Sequence, residues 1–336
     1  MIHPPRRLLL VKPSSMGDIV HTLPVLAALH SGWPGTKIDW VVKPEWMTLL
    51  ENHPMLHDVV SFPKNWRQWG RTIGELRRRR YDMVIDLQGL LRSGLLSVMT
   101  GAPVRVGFAN AREGSPWCYT HRITVPYRVI HSVERYLHLV WHVGVPKDIP
   151  RTFPLPKWRE TEAWVGGLWQ QEGIAPEEAV CLIHPAARGA NRRWPAERYA
   201  ELADRLAAKK GCRVVLVGAQ TQLDQLNAVR RLMRRRAINL AGQTTLPQLV
   251  ALLRKATLLI TNVSGPMHLS AAVGTPVVGI LGPTDPEKMG PYGSGHIVLK
   301  KDVDCSSCGR QRCVNGLACL KSISVDEVYR AVEAVV

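Results

Sequence analysis

"LLLVKPSSMGDIVHTLP", residues 8–24, sets four apolar residues against a short polar turn and then opens an amphipathic pattern. The run Leu8–Val11 predicts a short buried strand, and Ile19–Leu29 predicts the helix that follows it. Asp18 is the one carboxylate of the turn. Two readings are open for it. It caps the helix start, where unpaired N–H groups and the helix dipole favour negative charge. Alternatively it is a general base, kept ionised by the same helix end and by Lys12.

The strand–turn–helix unit recurs. Ile38–Val42, Met83–Leu87 and Val104–Val106 predict further strands, with a helix over Trp66–Arg80. Prolines 146, 150, 154 and 156 then interrupt the pattern, as a linker would. Beyond them, residues 179–185, 212–218, 257–261 and 276–282 are near-continuous apolar runs, as parallel strands buried on both faces require. Helices are expected at 195–208, 223–235, 246–255 and 265–273. Ser324 and Glu327 form a capping-box pattern that opens a last helix. The fold class is therefore α/β, with two doubly wound domains: residues 1–150, a linker over 151–175, residues 176–322, and a terminal helix over 323–336. Ligands of such sheets lie at the carboxyl ends of the strands.

The chain has 336 residues and a net charge of +17, from 44 basic and 27 acidic side chains. Clusters at Arg77–Arg80, Arg192–Arg193 and Arg234–Arg236 are either a solvated basic surface or the mark of a polyanionic partner, whether phosphorylated substrate, anionic membrane surface or nucleic acid, and their clumping favours a partner. A recognisable nucleic-acid-binding module is missing, which disfavours the last. No apolar run reaches the ~20 residues needed to span a bilayer. The four apolar residues after Arg7 are too short for a signal-peptide core. A cytoplasmic protein is expected. The dinucleotide-binding G-x-G-x-x-G is not found after the first strand, and no P-loop, G-x-S-x-G or H-E-x-x-H motif occurs, which disfavours nicotinamide, NTPase, hydrolase-elbow and zincin chemistry.

Two stretches of the second half suit phosphate. In "LITNVSGPMHLSAAVGTP", 259–276, Ser264 is placed as N-cap, Pro266 follows just inside the helix, and free N–H groups face an anion. His268 on the first turn either adds a donor there or packs in the core. In "HPAARGANRRWP", 184–195, Arg188, Arg192 and Arg193 are placed to fork onto phosphate oxygens unless the loop is merely solvated. Of seven cysteines, Cys118, Cys181 and Cys212 read as isolated buried thiols. Cys305, Cys308, Cys313 and Cys319 fall within fifteen residues, and their spacing suits a structural zinc or iron site better than reactive thiols or disulfides in a reducing compartment.

"KPSSMGDIVHTLP" (12–24), "VIDLQGLLRSG" (84–94), "HSVERY" (131–136), "RRWPAERYAEL" (192–202) and "SGPMHLSAAVGTPVVGILGPTDP" (264–286) together resemble the bacterial lipopolysaccharide heptosyltransferases, glycosyltransferase family 9. The first and third stretches are most similar to the type I enzymes, which add the first heptose to the Kdo–lipid A inner core. The resemblance implies a GT-B fold, with two Rossmann-like domains facing a cleft and a last helix that packs back on the first domain. It implies inverting transfer of heptose from ADP-L-glycero-D-manno-heptose to a phosphorylated lipid A core, at an anionic inner-membrane surface, with no cofactor required for the chemistry. It assigns Asp18 as catalytic base, with Lys12, Arg92, Arg112, His131 and Arg135 on the acceptor side. It assigns Ala187, Arg188, Arg192, Gln222, Thr244, Ser264, Gly265 and His268 to the donor. The sequence departs from the family at Val263, where an acid usually precedes "SG"; Asn262 and Asp285 are the nearby candidates to compensate.

Overall fold

A computed structural model describes residues 3–126, 131–209, 212–305, 308 and 313–336. The chain divides into two compact units, Met1–Pro156 and Lys157–Val336. The first holds strands β1 (Arg7–Val11), β2 (Lys37–Val42), β3 (Asp58–Ser61), β4 (Met83–Asp86), β5 (Val104–Phe108) and β6 (His121–Ile123), with helices α1 (Met16–Gly32), α2 (Trp66–Arg78), α3 (Leu91–Met99) and α4 (Ser132–His142). The second holds β7 (Val180–His184), β8 (Arg213–Leu216), β9 (Ile238–Asn239), β10 (Leu258–Asn262), β11 (Val277–Ile280) and β12 (Ile297–Leu299). Its helices are α5 (Arg159–Gln171), α6 (Ala196–Lys209), α7 (Leu223–Leu232), α8 (Leu246–Lys255), α9 (Gly265–Ala272), α10 (Pro286–Met289), α11 (Ala318–Lys321) and α12 (Val325–Glu333).

Each unit is one parallel sheet. The orders are β3-β2-β1-β4-β5-β6 and β12-β11-β10-β7-β8-β9. Both reverse direction once, between β1 and β4 and between β7 and β10. The strand ends at such a reversal leave a crevice that helices do not cover. Leu8–Val11, Leu182 and Ile183 are fully buried, because these central strands are covered on both faces.

The predicted strands and helices form at or within a few residues of the expected positions. The edge strands β3, β6, β9 and β12 were not expected; they are two to four residues long, too short to show a period. Helix α5 forms inside the stretch read as a linker. The prolines end at Pro156, and Arg159–Gln171 is rich in helix formers. Helix α7 stops at Leu232 rather than 235, since Asp204 of α6 accepts the Arg234 and Arg235 N–H groups. The expected capping box of α12 is present: the Ser324 N–H donates to Glu327 and the Glu327 N–H to Ser324. The apolar residues Val325, Val328, Tyr329 and Val332 of α12 lie in the core of the second unit, with α6 and β11–β12.

The reading of Cys181 and Cys212 as isolated thiols is also corrected. They form a disulfide, with Cα atoms 6.3 Å apart. Two apolar runs carry no register by themselves; the parallel pairing of Cys181 with Val214 brings the two residues together.

Candidate functional site

The first crevice lies where β1 and β4 end, at Val11 and Asp86, which are register partners. Ser15 caps α1, and Asp18 reaches back to it: Asp18 Oδ2 accepts the Ser15 N–H at 3.0 Å and the Ser15 hydroxyl at 2.8 Å. The other oxygen turns to α4, where the Tyr136 hydroxyl donates to Oδ1 at 2.7 Å. Lys12 Nζ stands 3.6 Å from the same oxygen. Asp18 thus serves the cap with one oxygen and meets a cluster of polar groups with the other. A carboxylate offers about four acceptor sites, so capacity for one more donor remains, and the side chain is 26% exposed.

Lys12 is buried, donates to the Leu87 carbonyl at 3.0 Å and sits 4.6 Å from the Tyr136 ring centre. Burial lowers its pKa, opposed by Asp18 and Asp86. Burial alone would raise the Asp18 pKa. Lys12, the Ser15 N–H, Tyr136 and His21 outweigh it and hold the carboxyl well below its ordinary value. Burial, with Asp18 beside it, drives the Tyr136 phenol up, so it stays a donor. Because Asp18 titrates lower in the folded protein, its contribution to stability is complete above its ordinary value of 3.8 and is lost as pH falls through the folded value. Lys12→Met is expected to move the Asp18 titration upward toward 3.8, read from its carboxyl carbon resonance. An unmoved resonance would remove Lys12 as the group that sets this charge.

Around this cluster, His131 caps α4 by accepting the Val133 N–H, and its ring lies 4.9 Å from that of His21. The Arg135 guanidinium stacks 4.1 Å from the Phe108 ring centre. Asp86, fully buried, accepts from the Gln88 and Gly89 N–H groups and from Tyr119 at 2.7 Å. Tyr119 reaches it by lying over Gly107, where a Cβ would come within 2.3 Å of its ring.

The second crevice lies where β7 and β10 end. His184 Nδ1 is 3.2 Å from the Thr261 hydroxyl, and Nε2 is 3.2 Å from Gln222 Oε1. Gln222 Oε1 also accepts the Ala219 N–H, so His184 Nε2 carries the proton and Nδ1 accepts. Burial lowers the His184 pKa to about 4, leaving the ring neutral at neutral pH. Thr261 continues the chain to Ser264, 3.0 Å away at the start of α9. Gly265, Pro266 and His268 make the first turn of that eight-residue helix, with His268 buried. Arg192 ends a 3₁₀ turn, Ala190–Arg192, and Arg193 Nε donates to the Ala187 carbonyl at 2.9 Å.

The sequence-read residues therefore form two groups. Lys12, Asp18, His131 and Arg135 gather at β1, α1 and α4. Gln222, Ser264, Gly265 and His268 gather at β7, β10 and α9, with Ala187, Arg188 and Arg192 on the loop after β7. Thr244 stands on the loop between β9 and α8. Arg92 and Arg112 are exposed: Arg92 donates to the Pro63 carbonyl, and the Arg112 N–H bonds the Gly89 carbonyl. Tyr136, Asp86, His184 and Thr261 had no assigned part. Tyr136 stood inside a quoted motif, and His184 ended a predicted strand, the one signal that could have found it.

Val263 packs with Met267, Val277, Leu281 and Val298. Asn262 is committed to the Pro185 carbonyl and the Trp194 N–H, and Asp285 to Glu287 and Lys288. The metal expectation is not supported. Cys305, Cys308, Cys313 and Cys319 are free thiols, and no group of three or more His, Cys, Asp or Glu side chains among the described residues is placed to hold a metal. Residues 306–307 and 309–312 of that segment lie outside the described residues. No helix among the described residues is long and apolar enough to cross a membrane.

The chain is similar to lipopolysaccharide heptosyltransferase 1 of Pseudomonas aeruginosa, 29% identical over 326 residues, covering 91% of this chain and 87% of that one. It is similar to lipopolysaccharide heptosyltransferase 2 of Escherichia coli, 28% identical over 303 residues and 84% of each chain. Escherichia coli heptosyltransferase WaaC, solved with ADP and with ADP-2-deoxy-2-fluoro heptose, superposes with TM-scores of 0.77 and 0.76 at 25% identity, over 98% of this chain and 100% and 99% of those. The two parallel six-stranded sheets are those of the GT-B fold. The glycosyltransferase family 9 (heptosyltransferase) profile matches residues 69–318, about three-quarters of the chain, so the chain belongs to glycosyltransferase family 9 and is a glycosyltransferase.

Proposed function

We propose that this chain transfers L-glycero-D-manno-heptose from ADP-heptose to the Kdo–lipid A inner core, with inversion. The observation that carries the reading is the ionised carboxylate of Asp18, oriented by Ser15 and Tyr136 beside a buried lysine. The acceptor hydroxyl oxygen forms the new bond to the anomeric carbon. The bond from that carbon to the diphosphate breaks, ADP leaves with the electron pair, and the hydroxyl proton passes to Asp18. His131 and Arg135 flank the base and suit a phosphorylated acceptor. Arg188, Arg192 and the first-turn N–H groups of α9 suit the diphosphate. Gln222 and Thr244 would meet the nucleoside.

Arg192→Ala is expected to weaken ADP binding by about 1.5–3 kcal/mol, the range for a hydrogen bond to a charged group. Calorimetry showing unchanged affinity would take Arg192 off the donor. A second reading, transfer to an already heptosylated core, is favoured by the near-equal likeness to type 1 and type 2 relatives, 29% and 28%. Offering ADP-heptose with Kdo–lipid A and, separately, with heptosylated core, and weighing the products, decides between them. No transfer to either acceptor would overturn both.

A further inference from the structure

Helix α3 is inside out. Its buried residues are Ser93, Gly94, Leu96 and Ser97, while Leu91, Leu95, Val98 and Met99 are 39–42% exposed. The four exposed residues fall at i, i+4, i+7 and i+8, one continuous stripe. The inward face tolerates small polar residues because they bond locally: Ser93 donates to the Leu90 carbonyl and Ser97 to the Ser93 carbonyl. Gly94 packs against Cys118, 3.0 Å from where a Cβ would stand.

Two tryptophans flank the stripe. Trp66, at the start of α2, is 79% exposed, and Trp117, on the 3₁₀ turn Ser115–Cys118, is 81% exposed. Arg92 on α3 bonds the Pro63 carbonyl, which brings the start of α2 beside the start of α3. The Leu91 N–H donates to Glu113, and Cys118 packs on Gly94, which sets the 3₁₀ turn on the other side. Six of the nine large apolar side chains that are exposed among the described residues thus lie on α3 or on the segments beside it. Exposed apolar area so gathered marks an interaction surface.

The rim is basic. Arg67 lies over Trp66 and Arg122 over Trp117, 5.4 and 5.0 Å from the ring centres. Residues 64–122 carry eleven Lys and Arg against four Asp and Glu. Of the four, Asp86 is buried, Glu113 takes the Leu91 N–H, Glu75 pairs with Arg79 and Asp82 takes the Arg7 N–H. Two copies joined through this face would set arginine against arginine, which disfavours self-association. Nucleic acid supplies no apolar layer for the stripe. An anionic bilayer supplies both: acyl chains for the stripe, a headgroup layer for the tryptophans and negative charge for the arginines.

We propose that α3, with Trp66 and Trp117, is the face by which this protein docks on a bilayer containing anionic lipid. The proposal rests on the lipid-linked acceptor of the preceding reading, but the vesicle measurement does not need that acceptor. The whole chain is sedimented with vesicles of phosphatidylcholine, and of phosphatidylcholine with phosphatidylglycerol. Binding is expected to the mixed vesicles and to fall as salt rises. The double variant Leu95→Glu, Val98→Glu is expected to bind roughly tenfold or more weakly, since two apolar side chains leave the interface. Trp66→Ala with Trp117→Ala, at positions too exposed to hold the fold, is expected to weaken binding too. A water-soluble acceptor stripped of its acyl chains should be turned over equally by all three proteins. Equal vesicle binding by wild type and both variants would overturn the proposal, as would a sizing column on which the variants dissociate an oligomer while still binding vesicles. If the wild type binds vesicles as expected yet transfers nothing, the functional reading fails and the docking face stands.

Discussion

Replacing Asp18 by Asn is expected to cut turnover by about 10²–10⁴-fold, the usual worth of general-base help. The structure also says what else the change disturbs. Asp18 accepts on both oxygens, from Ser15 on one and from Tyr136 on the other, with Lys12 beside it. Asn has a single acceptor oxygen, so its amide NH₂ must face either the Ser15 donors or the Tyr136 hydroxyl. One buried donor left unpaired costs about 1–3 kcal/mol, so the melting temperature should drop while most of the protein stays folded. ADP affinity should be unchanged, because ADP is read as held by the second unit. Single-turnover rates and ADP calorimetry on the same preparation separate these effects. Turnover within threefold of wild type would leave Asp18 as a cap only.

The largest loss of stability is expected from Trp194→Ala. Trp194 is 2% exposed, stacks edge-on against Tyr199 with ring centres 4.9 Å apart, and donates its indole N–H to the Ile323 carbonyl. Its backbone N–H bonds Asn262 at the end of β10. One side chain thus ties the loop after β7 to the segment before α12. A Trp→Ala change in a core costs about 3–5 kcal/mol. For a unit of this size that lowers the melting temperature by roughly 6–20 °C. Scanning calorimetry reads it directly, and a shift under about 2 °C would mean that the cavity collapses and the tie carries little.

The central strands were legible because burial on both faces leaves an unbroken apolar run, as in Leu8–Val11 and Leu258–Ile260. The edge strands were not, because Ile238–Asn239 and His121–Ile123 bury little and owe their conformation to a neighbour. Helix α3 escaped for a different reason. Its apolar stripe faces solvent, so its pattern gives no hint of the packing that holds it.

The sequence by itself determined that two parallel sheets alternate with helices, that Asp18 stands at a strand end and helix start, and that Ser264 opens a helix. These features depend on residues close together in the chain. Only the tertiary structure decided the rest. Tyr136 lies 118 residues from Asp18, yet donates to it. His184 and Thr261, 77 residues apart, become partners because β7 and β10 are adjacent. Cys181 meets Cys212 through the register of β7 and β8. Each of these contacts depends on which strands pair and in what register. Local periodicity carries no record of that, since any of the buried runs could pair with any other.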